Sequence, residues 1–326
     1  MRKILTIIAL SVTSIVTFAQ QDAQFSMNMF NRLSINPGYA GTNKALCGVL
    51  LYRQQWNNFP GAPKTFLFSL DYGQIAHGGL GLTLDQDALG FDKTFKAKLA
   101  YSFHQTLGPG VLGIGLDVGM IQKSLSGNFV APDGSTTEHG GSADAAIPWN
   151  GAKSTTYDLG FGLYYTTFND KLYVGISALH LTESDVKKGG TTTPSYSGQP
   201  TYTWNYDYQE ARHYYVMAGY RFDLGDKFSL TPSVLTKTDA ASTQLDINAM
   251  VKWNKMVFAG VSYRLTDAIV AIVGLEYKGI KFGYSYDITT STIKNHSSGT
   301  HEIMLGYCHK FVKPEKKHGH MNERFL

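Results

Sequence analysis

Four sets of residues in this chain have types and spacings that could support chemistry. Asp85 and Asp87, with His296 and His301 far along the chain, offer the carboxylate and imidazole of a protease-like acid/base site. They fall in separate segments with ordinary flanks, and no residue is placed to orient the imidazole, so the pattern does not define such a site. His318 and His320 have a spacing that could hold a metal weakly, but they sit in the basic stretch KPEKKHGH, which reads as a solvated tail. Lys64 in GAPKT follows a proline and opens a strand, not a phosphate loop. The chain has no G-x-S-x-G, H-E-x-x-H or P-loop pattern. No catalytic, cofactor-binding or metal-ligating residue is assigned, and the expectation is a protein that is not an enzyme. The fourth set is the pair of cysteines, Cys47 and Cys308.

The elements that must position these residues are strands. From Leu46 onward the chain alternates with a period of two: Leu112, Ile114, Leu116, Val118 and Met120 share one face, and Gly113, Gly115, Asp117 and Gly119 share the other. About fourteen such segments recur, each roughly ten residues long, the length of a tilted strand crossing a bilayer. Their centres are Leu51, Phe68, Leu82, Leu99, Leu116, Phe161, Ile176, Met217, Leu230, Ile247, Val261, Val273, Tyr284 and Leu305. The 34 Gly, 20 Tyr and 18 Phe residues agree with β structure, and no apolar run approaches the length of a membrane helix.

A soluble sandwich also alternates, so other features must decide. The apolar face ends in aromatics at Trp56, Tyr72, Phe103, Trp253, Tyr263 and Phe311, where an interfacial girdle needs them. The opposite face carries charges of both signs in mid-strand, among them Asp71, Lys96, Lys98, Asp246, Arg264 and Glu302. A sandwich core would reject these charges, and a wet lumen accepts them. The links alternate too. Those near Gly73, Leu107, Asn169, Gly225, Asn254 and Gly279 are short, whereas the others vary and include 123–153, 184–209 and 289–299. The reading is all-β: a transmembrane outer-membrane antiparallel barrel with short periplasmic turns, longer extracellular loops and both termini periplasmic.

The start MRKILTIIALSVTSIVTFAQ reads as a signal peptide over 1–19, cut after Ala19. Residues 46–311 form the barrel and 312–326 a periplasmic tail. A net charge of +4, with no basic run interleaved with aromatics, gives no support for nucleic-acid binding.

Residues 20–45 precede the first strand and contain QFSMNMFNRLSINPGYAG, whose apolar residues a free tail would not favour. They read as a short plug at the periplasmic mouth with a turn at Asn36-Pro37-Gly38, the alternative being a barrel lead-in without further role. Phe30, Asn36, Pro37 and Tyr39 in this segment are candidates for partner binding, as are Tyr202, Trp204, Tyr206 and Tyr208 in the second long link. In a closed barrel the first strand pairs with the last, which places Cys47 and Cys308 on neighbouring strands, both facing the lumen. They either form a seam disulfide or remain two small unbonded residues.

QFSMNMFNRLSINPGYAG, followed in order by RQQWNNFPGAPKTFLFSLD, ARHYYVMAGYRFDLG and THEIMLGYCHKF, resembles the PorP/SprF family of outer-membrane proteins of the type IX secretion system. The resemblance implies a non-enzymatic barrel without cofactor that supports export or surface attachment of large cell-surface proteins carrying a type IX C-terminal domain. Its implied partners are outer-membrane lipid, periplasmic peptidoglycan-binding proteins and the secretion motor. The competing expectation is a general porin or solute transporter.

Overall fold

The computed structural model describes residues 22–75, 77–125, 151–192 and 202–311. The expected signal peptide, most of the 123–153 link and the tail 312–326 with His318 and His320 lie outside the described residues. In chain order the strands are β1 (Leu46–Gln54), β2 (Lys64–Ile75), β3 (Gly78–Leu89), β4 (Asp92–Leu107), β5 (Gly110–Leu125), β6 (Ala152–Thr167), β7 (Leu172–Leu179), β8 (Asp185–Thr192) and β9 (Tyr202–Gln209). There follow β10 (His213–Tyr220), β11 (Phe222–Leu224), β12 (Phe228–Thr238), β13 (Thr243–Trp253), β14 (Val257–Arg264), β15 (Ala268–Tyr277), β16 (Ile280–Thr289) and β17 (Thr300–His309).

Fourteen of these strands form one closed antiparallel barrel. Sequential neighbours pair, β7 pairs β10, β10 pairs β12, and β1 closes the ring against β17 in a register that sets Cys47 opposite Cys308. Each of the fourteen centres read from the alternation falls in one of the fourteen barrel strands. β11 prolongs β10 after a lapse at Tyr220 and Arg221, where Pro232 stands on the facing strand without an N–H to give the ladder.

One rim carries short turns. Asn254 and Lys255 (φ 51° and 57°), and Lys278 and Gly279 (49° and 85°), adopt the paired positive φ angles that let a two-residue link follow the twist of its strands. The other rim carries the longer links, and the 184–209 link holds the hairpin β8–β9. The outer wall is apolar, with Leu99, Leu116, Tyr157 and Val261 at 60–70 % exposure, while the inner wall buries Asp71, Asp117, Arg264 and Glu302. An apolar belt facing out and charges facing in are what lipid and an enclosed lumen require. Trp56 departs from the expected girdle: it lines a cavity at the long-link rim, and its backbone N–H donates to Thr300 Oγ1 at 3.0 Å.

Candidate functional site

The lumen is occupied by residues 22–44, a strap with only two short 3-10 turns, Asn28–Phe30 and Pro37–Tyr39. It reaches farther than a plug at the short-turn mouth. Asp22 lies among residues that flank the long links, and Gly41 to Lys44 lead into β1 at the short-turn rim.

Apolar side chains supply the first contact. Phe25 and Met27 pack into a buried cluster with Leu51, Leu67, Phe258, Ile272 and Met304 of the inner wall. These wall residues interrupt the otherwise polar lumen, so the strap's apolar residues find a dry surface.

Two buried ionic clusters hold the strap at its upper end. In the first, Arg53 pairs with Asp287 at 2.8 Å and Glu302 at 3.0 Å, and Arg264 pairs with Asp287 at 3.1 Å. The Ser26 hydroxyl donates to Asp287 at 2.7 Å and accepts from Arg53 at 2.8 Å, while the amides of Ser26 and Met27 each donate to Glu302 at 2.8 Å. Glu302 has no exposure, so this carboxylate depends on the strap's N–H groups as well as on Arg53.

In the second cluster Asp22 is the hub. Its carboxylate meets Lys96 at 2.5 Å, His180 Nε2 at 3.0 Å and the Tyr215 hydroxyl at 2.9 Å, and its carbonyl accepts from Lys237 at 3.0 Å. The Asp22 N–H donates to His213 Nε2 at 3.1 Å, which leaves Nδ1 as the protonated nitrogen facing the Ala211 carbonyl at 3.0 Å. His180 Nδ1 lies 2.8 Å from Asp158, so the ring is flanked by carboxylates on both sides, which favour its protonated form. Burial opposes the charge on Asp22, but His180, Lys96 and His213 hold its carboxyl well below the usual range. Burial likewise opposes protonation of His180, and Asp22 outweighs it, raising the imidazole. Glu210 is brought down to about 2 against its burial, chiefly by Lys96 and His180. Asp22, His180 and His213 offer ligand atoms within 4.8 Å of one another, a set with metal-binding chemistry. Lys96 and the Asp22 amide already engage the same atoms.

Glycines shape the lower end. A Cβ on Gly113 would come within 2.1 Å of the Gly38 carbonyl oxygen, one on Gly115 within 2.2 Å of the Pro37 carbonyl carbon, and one on Gly162 within 2.2 Å of Asn36 Oδ1. The glycine face of β5 and β6 is thus a trough in which the backbone of INPGYAG lies. Asn36 fixes the fit: its Nδ2 donates to the carbonyls of Leu163 at 3.0 Å and Ile176 at 3.1 Å, and its Oδ1 caps the Gly38 N–H at 2.8 Å. Ser102 donates to the Gly38 carbonyl at 2.9 Å, and Ser177 donates to the Ile35 carbonyl.

The partner-binding candidates divide by environment. Asn36 and Pro37 are buried, and Asn36 bonds the barrel wall. Phe30 is half-buried against Phe258, with ring centroids 5.1 Å apart, and Tyr39 meets Tyr164 edge-on at 5.2 Å. Tyr206 and Tyr208 turn toward the barrel mouth, where the Tyr208 hydroxyl donates to Glu210 at 2.5 Å and Lys123 Nζ stands 3.5 Å from its ring centre. The side chains of Tyr202 and Trp204 lie outside the described residues. Cys47 and Cys308 are bonded across the β1–β17 seam. Asp85 and Asp87 line the long-link cavity; Asp87 accepts from Thr65 at 2.6 Å, and His301 meets the Tyr284 hydroxyl at 2.7 Å. Among the described residues, no hydrogen bond or ion pair joins either aspartate to His296 or His301. Two cavities flank the strap, about 620 Å³ at the long-link rim and about 440 Å³ at the short-turn rim.

A fourteen-strand barrel with an apolar outer belt and an occupied, charged lumen is an outer-membrane β-barrel protein. The chain belongs to the PorP/SprF family of type IX secretion system membrane proteins, whose family model matches residues 17–307. Among solved structures it is similar to the CymD monoaromatic hydrocarbon channel (13 % identity, 89 % of this chain and 94 % of that one, TM-score 0.50). It is also similar to the toluene transporter TbuX of Ralstonia pickettii (12 % identity, 86 % and 93 %, TM-score 0.48). At these identities the likeness concerns the fold alone. None of the curated proteins compared matches the chain.

Proposed function

We propose that this protein is a non-enzymatic interaction barrel of the type IX secretion and gliding apparatus that supports export or surface attachment of large cell-surface proteins. The observation that carries this reading is the strap: a lumen filled by the chain's own residues and held by buried ion pairs is unsuited to free passage of solute. In this reading residues 1–19 are a cleaved export signal, and the short-turn rim, where the strap enters β1 and the chain leaves β17, faces the periplasm. Peptidoglycan-binding and secretion-motor proteins engage that rim, and the long links face the exterior and the exported protein.

Purification in mild detergent from native membranes tests this function: secretion-apparatus proteins should co-purify, and their absence would overturn the reading. Solute transport is the second reading, favoured by the two cavities on either side of the strap. In a planar bilayer the interaction barrel should be nearly silent, and steady conductance would favour transport.

A further inference from the structure

The cavity at the short-turn rim has more positive charge than its neighbours neutralise. Its wall holds six Lys and Arg side chains against three carboxylates. Lys171 and Arg221 are matched on the rim by Asp223, at 2.8 and 3.2 Å. Deeper in, Lys252 and Lys281 share one carboxylate, Glu276, at 2.7 and 3.5 Å. Arg32 has no carboxylate at all among the described residues. Its Nη1 donates to the Tyr164 hydroxyl at 2.8 Å, and its guanidinium carbon lies 3.7 Å from the centre of the Tyr173 ring. Nε is buried with no acceptor, and Nη2 has none either.

Nε and Nη2 form the edge of a guanidinium that grips a carboxylate with two parallel hydrogen bonds. Tyr164 and Tyr173 fix the plane of the group and leave that edge without an acceptor. Arg32 is half-buried, but its Nε is out of solvent with no acceptor, which is costly and makes this edge a donor awaiting an anion. The rest of the wall contributes apolar and aromatic surface from Phe30, Leu33, Tyr39, Val49 and Met250, in a volume suited to a small organic ligand.

We propose that the short-turn cavity is a binding site for an organic carboxylate with an apolar body, its head on Arg32 and its body against Phe30 and the neighbouring aromatics. Either a free organic acid or the C-terminus of a peptide supplies this chemistry. The site is independent of the secretion reading, because it rests on the charge and shape of the cavity alone.

Titration calorimetry on the full-length protein in detergent at low salt tests it with three probes: hexanoate, the tripeptide Ala-Ala-Phe with a free carboxylate, and the same tripeptide as its C-terminal amide. At least one of the two acids should bind, and the amide should bind about tenfold more weakly than the peptide acid or not at all. Arg32→Gln should weaken acid binding by about tenfold or more, with Arg32→Lys in between. Hexanoate binding as well as the peptide acid identifies a free organic acid as the source, and binding of the peptide acid alone identifies a chain terminus. Absence of binding by both acids, or equal binding of peptide acid and amide, overturns the proposal on the wild-type protein with no variant needed. An unchanged affinity in Arg32→Gln overturns the role of Arg32.

Discussion

Gly115 on β5 lies directly beneath Pro37 of the strap, so close that a Cβ on the glycine would stand 2.2 Å from the Pro37 carbonyl carbon. The glycine is in a strand, where it costs stability, and its position is explained by the backbone that presses on it. Gly115→Val should therefore leave the strand pairing intact, because the added methyls strengthen β propensity, while expelling the lower strap. The measurable outcome is a barrel with unchanged resistance to unfolding in cold detergent and new conductance in a planar bilayer. A silent, fully protected Gly115→Val barrel would show that the strap does not seal the lumen.

Removing Arg53 leaves Asp287 and Glu302 buried with one cation fewer. Arg53→Met should cost about 3–5 kcal/mol, the usual penalty for breaking a buried pair, and much of it should appear as local release of the strap. Hydrogen exchange at the Ser26 and Met27 amides, both of which donate to Glu302, should accelerate far more than exchange in β4 or β5. Uniform acceleration across the barrel would mean that Arg53 serves the wall and not the strap.

The Asp22 cluster gives the strap a pH window. His180 is raised above its unfolded value of about 6.5, so its contribution is complete below that pH and is lost as pH rises through the folded value. Asp22 is depressed below about 3.9, so its contribution is present above that pH and is lost only as pH falls through its lowered folded value. The protection factors at residues 22–25, the intrinsic base-catalysed rate at each pH divided by the observed exchange rate, should therefore be highest in mildly acidic solution and fall on the alkaline side. His180→Gln should flatten the alkaline limb, and an unchanged limb would assign it to another group.

The seam cysteines call for a chemical count. Alkylation of the unfolded, unreduced protein should label neither Cys47 nor Cys308, and labelling of both would exclude the bond. In the chain-entropy model a loop of this length, with a sequence separation of 261, stabilises by up to about 5.5 kcal/mol.

Orientation can be read on intact cells. Epitope tags placed within 123–153 and 184–209 should be reached by antibody without lysis. Tags that become reachable only after lysis would reverse the assignment of the two rims.

The barrel was legible because its rule is local. A residue such as Leu116 faces lipid and Asp117 faces the lumen, and a two-residue period records that choice at every step. The same rule exposes what was missed: Trp204, Tyr206 and Tyr208 alternate with polar residues in the 184–209 link, the mark of the β9 strand. The strap was legible only as apolar residues out of place, since it has no period and its hold depends on partners hundreds of residues away. Ser26 on Asp287 and Asp22 on His213 are separated by 261 and 191 positions. One signal did point there: lumen-facing glycines at 113, 115 and 162 mark where another backbone must approach.

The Cys47–Cys308 bond turns everything between those residues into a covalent hoop, with the strap outside the loop in sequence and inside it in space. The hoop cannot spring apart to let the strap go. The strap is tethered to the ring at Ala45 and Leu46, on the short-turn rim, so withdrawal has one direction, back through that rim, and unplugging is a retraction on a leash about twenty residues long. A force or partner that empties this lumen must act from the short-turn side by pulling, or from the long-link side by pushing on Asp22.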